Sequence, residues 1–145
     1  SQNAPFLPIY EAWKTSGREM KVMEAREARE KFACIKARVL SNRKPPYGVP
    51  GGLYDALVDS GGTMDYATNE ELDQAMDLFI RSEGIDIHPA AAVATASLIK
   101  NVKQGHMDTS SVIMLNITGG GEERFRKENA LWYLKPTDHA SLLSA

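Results

Sequence analysis

The sequence is poor in the features that would tie it to a special compartment or partner. It holds a single cysteine, Cys34, in 145 residues. That excludes an internal disulfide and fits a reducing cytoplasm. No apolar run is long enough to span a bilayer, and the first residues lack the basic-then-apolar pattern of a signal peptide. No charge sign dominates: 17 Lys and Arg interleave with 19 Asp and Glu, for a net charge of −2. Neither a phosphate backbone nor an anionic lipid surface would find a one-signed patch, so nucleic-acid and membrane partners are not expected. The three histidines, His88, His106 and His139, are far apart. None has a second ligand at metal-binding spacing, so surface or capping roles are expected and no metal. Ser16, Ser97 and Ser110 lack a nucleophile elbow, and Cys34 has no activating base nearby. No repeat or low-complexity segment is present. The chain begins at Ser1 rather than Met, and Gln2–Pro5 reads as mid-chain, so a piece of a longer protein is expected.

What is present describes an ordinary globular chain of one domain, 43% apolar and 25% charged. Pro8 suits a first helical turn, and the spacing of Ile9, Ala12 and Trp13 predicts a helix from about Leu7 to Gly17. A longer helix is predicted from Glu24 to about Leu40, with Phe32, Ile35, Val39 and Leu40 as its apolar stripe. Its charged face, with Glu27 and Lys31 four apart, reads as solvated. The run 42–52 carries three prolines and three glycines and must be an irregular loop. Leu53–Val58 is a short helix closed by Gly61 and Gly62. Thr63–Ala67 alternates as a strand, and Thr68 with Glu71 has capping-box spacing for a helix running to Gly84. Ile85–Ile87 is a brief strand. Pro89 opens an alanine-rich helix that ends at Gly105. Ser111–Thr118 is apolar nearly throughout, as buried parallel strands are. A further helix is predicted from Glu122 to about Leu131, and a loose tail over 136–145. Alternating helices and buried strands imply an α/β domain, a mainly parallel sheet flanked by helices.

The strongest local signal is Thr118-Gly119-Gly120-Gly121-Glu122-Glu123, at the carboxyl end of the predicted last strand. Ligands bind outside such strand ends in open α/β sheets. A phosphate is not the ligand expected there: Glu122 and Glu123 occupy the first turn of the next helix, where they complement its positive end. The order Gly-x-Gly-x-x-Gly is also absent. Two readings remain, a purely structural turn or one that brings the Thr118 hydroxyl and bare backbone at Gly119 up to a flat ligand.

Several stretches in order along most of the chain resemble the C-terminal region of the threonine synthase family of fold-type II pyridoxal-phosphate (PLP) enzymes. They are Gln2-Asn3-Ala4-Pro5-Phe6, Pro45-Pro46-Tyr47 with Gly51-Gly52-Leu53-Tyr54-Asp55-Ala56-Leu57, and Ala67-Thr68-Asn69-Glu70-Glu71. Glu83-Gly84-Ile85, Pro89-Ala90-Ala91-Ala92 and the Thr118 turn complete the set. The Pro-Pro-Tyr and Gly-Gly-x-Tyr-Asp-Ala-Leu stretch and the Thr-Gly-Gly-Gly-Glu turn are most similar to the cysteate synthase branch, archaeal enzymes of coenzyme M biosynthesis.

The resemblance implies the C-terminal part of a tryptophan synthase β-like large domain in a cytoplasmic homodimer. It implies that the parent enzyme converts O-phospho-L-serine and sulfite to L-cysteate and phosphate. It also implies that Thr118, and more weakly Gly119, contacts the ring of PLP. A hydroxyl there can donate to the pyridine nitrogen without ionising the ring; the cofactor carries the carbanion chemistry. The family's Schiff-base lysine and its phosphate loop fall in an N-terminal part, so this segment should hold no catalytic residue. Lys100 and Lys103 are read as lying on the exposed side of a helix end. Tyr47 and Tyr54 are candidates for the substrate pocket, though packing accounts for them equally. His88 stands where relatives often carry an acid, and is read as a surface change. Two alternatives stay open: threonine synthase acting on O-phosphohomoserine, and a non-catalytic α/β regulatory or interaction module.

Overall fold

A computed structural model describes residues 1–15, 17–108 and 110–133. The chain forms six α-helices among these: α1 (Pro8–Thr15), α2 (Ala25–Ala33), α3 (Leu53–Ser60), α4 (Asn69–Glu83), α5 (Pro89–Lys103) and α6 (Glu122–Glu128). One 3-10 turn, Arg38–Leu40, follows α2. The tail predicted at 136–145, together with His139 and Ser16, lies outside the described residues.

Helices form where the local signals are strongest. Thr68 Oγ1 accepts the Glu71 N–H at 3.2 Å while the Glu71 carboxylate accepts the Thr68 N–H at 2.8 Å, the reciprocal cap expected for α4. Gly84 ends α4 in the left-handed region, φ 71°, and Gly61 ends α3 in the same way, φ 64°. Pro89 opens α5, whose first orphan N–H groups include that of Ala90, taken by the His88 ring. α4 and α5 pack as an antiparallel hairpin around Leu72, Ala75, Ala91, Ala92, Val93 and Ala96. The run of alanines on α5 leaves no bulk to hold the helices apart, which explains the stripe seen in sequence.

α2 is shorter than the spacing predicts. It stops at Ala33 instead of continuing to Leu40. The physical reason lies in two asparagines far away in sequence. Asn69 accepts the Lys36 N–H at 3.1 Å and donates to the Cys34 carbonyl at 2.7 Å. Asn3 accepts the Ala37 N–H at 2.8 Å and donates to the Ala67 carbonyl at 3.0 Å. Backbone groups that would have extended the helix are held by side chains, and Ile35 and Ala37 are turned into the core. Of the apolar residues predicted past Ala33, Ile35 is buried without helix, Leu40 is partly buried and Val39 is 71% exposed.

The predicted parallel sheet does not form among the described residues. Thr63–Ala67 makes one isolated parallel bridge, Gln2 to Tyr66, and Ile85–Ile87 one antiparallel bridge, Ile87 to Gly120. Ser111–Thr118 has no strand partner, and Val112 and Met114 stand 102% and 92% exposed. A strand exists only through its ladder, and the apolar run of 111–118 has no neighbouring strand here to pair with.

Lys100 also departs from its expected exposure. Its side chain is 19% exposed, pairs with Asp65 at 2.8 Å and lies 4.4 Å from the Tyr66 ring centroid. It donates to the Tyr66 carbonyl as well, while Asn101 holds the other Asp65 oxygen at 2.9 Å. The C-terminal turns of α5 are thereby fastened to the segment that Asn3 and Gln2 grip. Lys103 is exposed as expected.

Replacing Asn3 by Ala in the intact protein should cost about 2–4 kcal/mol, because two buried backbone groups lose their only partner. Chemical denaturation would measure it. A midpoint equal to wild type would show that Asn3 does not hold these segments.

Candidate functional site

The Thr118 turn is built onto the start of α5. The His88 N–H donates to the Gly119 carbonyl at 2.9 Å, and the Gly121 N–H donates to the Asp86 carbonyl at 2.7 Å. Asp86 Oδ2 then accepts the Glu123 N–H at 3.2 Å in the first turn of α6. These bonds fix the turn against the α4–α5 connection. Beside it opens a cleft of about 610 Å³, lined by Met76, Asp86, Ile87, His88, Pro89, Thr118, Gly119, Gly120, Glu122, Glu123 and Arg126.

The three glycines have different reasons to be glycine. Gly121 has φ +75°, a left-handed conformation that a side chain strains. A Cβ on Gly120 would lie 2.4 Å from the Asp86 carbonyl oxygen, so close packing forbids one. A Cβ on Gly119 would meet only His88 Cβ, at an ordinary 3.4 Å. The packing of this chain does not require Gly119 to be bare.

Thr118 is exposed at the cleft, and its hydroxyl has no hydrogen-bond partner among the described residues. Carboxylates dominate the surroundings. Glu122 is paired with Arg126 at 2.5 Å, which occupies the one cation of the cleft wall, while Asp86 and Glu123 add negative charge. A phosphate would be repelled here, whereas a flat neutral ring edge would meet a hydroxyl and a smooth backbone. The rim therefore offers a ligand a neutral donor and bare backbone, and among the described residues offers an anion no free cation.

Tyr47 and Tyr54 do not line this cleft. Tyr47 is 1% exposed, and its hydroxyl donates to the Gly17 carbonyl at 2.9 Å. Burial pushes that phenol's pKa up. The Tyr54 ring meets Tyr47 and Trp13 edge-on, with the Arg18 guanidinium 4.8 Å from its centroid. Arg18 also donates to the Gly48 carbonyl and to Asp55, and Asp55 takes the Gly51 N–H at 2.8 Å. These tyrosines clasp the Pro/Gly loop against α1 and α3. The packing account is the one their contacts support in this chain.

His88 was missed as a cleft residue. It is half-buried, caps α5 through Nδ1 and faces the same space as Thr118. Pro89 at the first helical position was the available signal, because it makes His88 the N-cap.

No family model matches the chain. Among curated proteins the chain is similar to relatives of one class, synthases. These relatives carry one name, cysteate synthase. The chain is 45% identical to that of Methanosarcina barkeri over 137 residues, 94% of this chain and 33% of the relative. It is 45% identical to that of Methanocella paludicola over the same length, 32% of the relative, and 46% identical to that of Methanosphaerula palustris over 132 residues. The resemblance to the cysteate synthase branch is thereby shown, these relatives are from methanogenic archaea by their names, and the chain spans about a third of their length. Neither threonine synthase nor a non-catalytic module is favoured by the matches.

Two expected outcomes follow from this geometry. In the intact protein Gly120→Ala should lose about 1–3 kcal/mol of stability through overpacking, whereas Gly119→Ala should stay within about 0.5 kcal/mol of wild type. Equal thermal shifts for the two would contradict the packing difference. Separately, Arg18 and the Gly51 N–H hold the Asp55 carboxyl below the usual carboxylate range. Its stabilisation is present above the ordinary carboxylate pKa of about 4 and is lost as pH falls through the lowered value. Asp55→Asn should therefore flatten the acid side of the stability–pH curve, read from denaturant midpoints; an unchanged slope would dismiss the pairing.

Proposed function

We propose that this chain is a single partial α/β domain of a PLP-dependent cysteate synthase, the C-terminal part of a fold-type II large domain. The enzyme breaks the Cβ–O bond of O-phospho-L-serine, releases phosphate, and forms a Cβ–S bond with sulfite to give L-cysteate. The observation that carries the reading is the unpaired Thr118 hydroxyl on a cleft free of available cations, in a chain similar to cysteate synthases along 94% of its length. The extended segment 111–118, unpaired here, takes its place in a mainly parallel sheet completed by the rest of the protein. The enzyme works in the cytoplasm as a homodimer, as its fold type implies.

PLP, when bound, supplies the electron withdrawal that lets the β-substituent leave. The part of this chain is orientation and tuning. Thr118 donates its hydroxyl proton toward the ring nitrogen, and a neutral donor leaves that nitrogen unprotonated where an aspartate would charge it. Gly119, free of a side chain that its packing would tolerate, lets the ring lie against backbone. Asp86, Glu122 and Glu123 keep the phosphate end of the cofactor, and phosphorylated substrate, away from this edge. As the family resemblance implies, the lysine that carries the cofactor is supplied outside this segment; Lys100 is engaged by Asp65 and Tyr66.

Assay of the full-length protein with sulfite and O-phosphoserine, against O-phosphohomoserine, tests the reaction. Cysteate and phosphate should appear only with the first pair. Thr118→Val should lower kcat about 10–100-fold with PLP still attached, as loss of a hydrogen bond worth about 1.4–2.8 kcal/mol would. Undiminished turnover in that variant would remove Thr118 from the site, and a protein that takes up no PLP would end the reading.

A further inference from the structure

The Thr118 cleft has a second polar wall that the reaction as described leaves unused. His88 precedes α5, and its backbone N–H is bonded to the Gly119 carbonyl at 2.9 Å, one residue from Thr118. Its ring Nδ1 accepts the Ala90 N–H at 3.2 Å. A nitrogen that accepts a hydrogen bond carries no proton, so the neutral ring must hold its proton on Nε2. The helix cap thereby fixes both the tautomer and the plane of the ring. Nε2–H has no partner among the described residues, and the ring lines the same space as Thr118. Around it stand Asp86, Glu122, Glu123 and Arg126. Asp86 Oδ2 takes the Glu123 N–H, and Arg126 is engaged by Glu122. With the charged groups occupied or repulsive to anions, the neutral Thr118 hydroxyl and His88 Nε2–H are the two groups left to meet a ligand.

We propose that His88 is a positioning residue of this site, donating Nε2–H to an acceptor atom on the edge of the flat heteroaromatic ring that Thr118 meets. The inference rests on the reading of Thr118 as a ring contact. Two neutral donors on adjacent walls fix the rotation of a ring in its plane, which one donor cannot. The capping bond serves a double purpose, because the same interaction that starts α5 aims the free N–H at the cleft.

Two substitutions separate the cap from the donor. Asparagine at 88 can accept the Ala90 N–H and cap α5, but is too short to place an N–H where Nε2 lies. Glutamine can place an amide N–H there and caps poorly. In the full-length protein, His88→Asn should keep wild-type thermal stability while the Kd for PLP, titrated into apoprotein and followed by absorbance, rises about 10-fold, as loss of one neutral hydrogen bond predicts. His88→Gln should melt earlier yet bind PLP within about 3-fold of wild type. Asn binding PLP like wild type, or Gln binding it as weakly as Asn would be expected to, overturns the proposal and leaves His88 a cap only. If substitution unfolds the protein, ¹⁵N-histidine spectra of wild type decide: a shifted Nε2–H signal on PLP addition supports the contact, and an unmoved one overturns it. Failure here, with wild-type protein still taking up PLP, leaves the proposed function standing. A wild-type protein that takes up none fails both.

Discussion

The buried carboxamide of Asn3, 1% exposed, joins Ala37 to Ala67 through one donor and one acceptor bond. On one side lies the end of α2, on the other the segment that leads into the capping box of α4. An amide is suited to this because it can donate and accept at once, and burial makes each unmet bond expensive. Gln2 extends the grip through its backbone, donating to Asp65 and accepting from Ala67. Lys100 and Asn101 then fasten the far end of α5 to Asp65. The α4–α5 hairpin is thus held at one end by a polar network and along its length by small apolar side chains.

At the opposite end of that hairpin the connection from Gly84 to Pro89 carries the Thr118 turn. The link to the turn itself is backbone, Asp86 and His88 bonding to Gly121 and Gly119, while the Asp86 carboxylate takes the Glu123 N–H beyond it. Such bonds fix the position of the turn without using any side chain that a ligand would need. The side chains left over are a hydroxyl and an imidazole, with carboxylates behind them. Electrostatics at this rim favours a neutral ring edge over an anion.

The aromatic cluster of Trp13, Tyr47 and Tyr54 makes a separate structural unit. A Cβ on Gly48 would lie 2.3 Å from the Arg18 carbonyl, and one on Gly52 2.8 Å from that of Val49. The Pro/Gly loop is tight because backbone runs against backbone, and Tyr47 is buried to close it. Of the two readings open in sequence, a pocket wall or packing, the contacts of this loop are those of a packed corner.

Helices α1, α3, α4 and α5 were legible in the sequence because their start and stop signals act within a few residues: the Thr68–Glu71 box, Pro89 at the first turn, and glycines at positive φ after α3 and α4. The Thr118 turn was legible for the same reason, as was the pair of carboxylates that follows it. Interactions between distant residues decided the rest. α2 ends early because Asn3 and Asn69, at the far side of a long loop, capture its continuation. Lys100 is half-buried because Asp65 waits for it. Tyr54 and Tyr47 meet edge-on. The run Ser111–Thr118 carries the composition of a buried strand, but hydrogen-bond partners come from other strands, and composition cannot supply them. Local propensity and capping are encoded in short windows, whereas burial, pairing and the sharing of backbone donors depend on which segments meet in space.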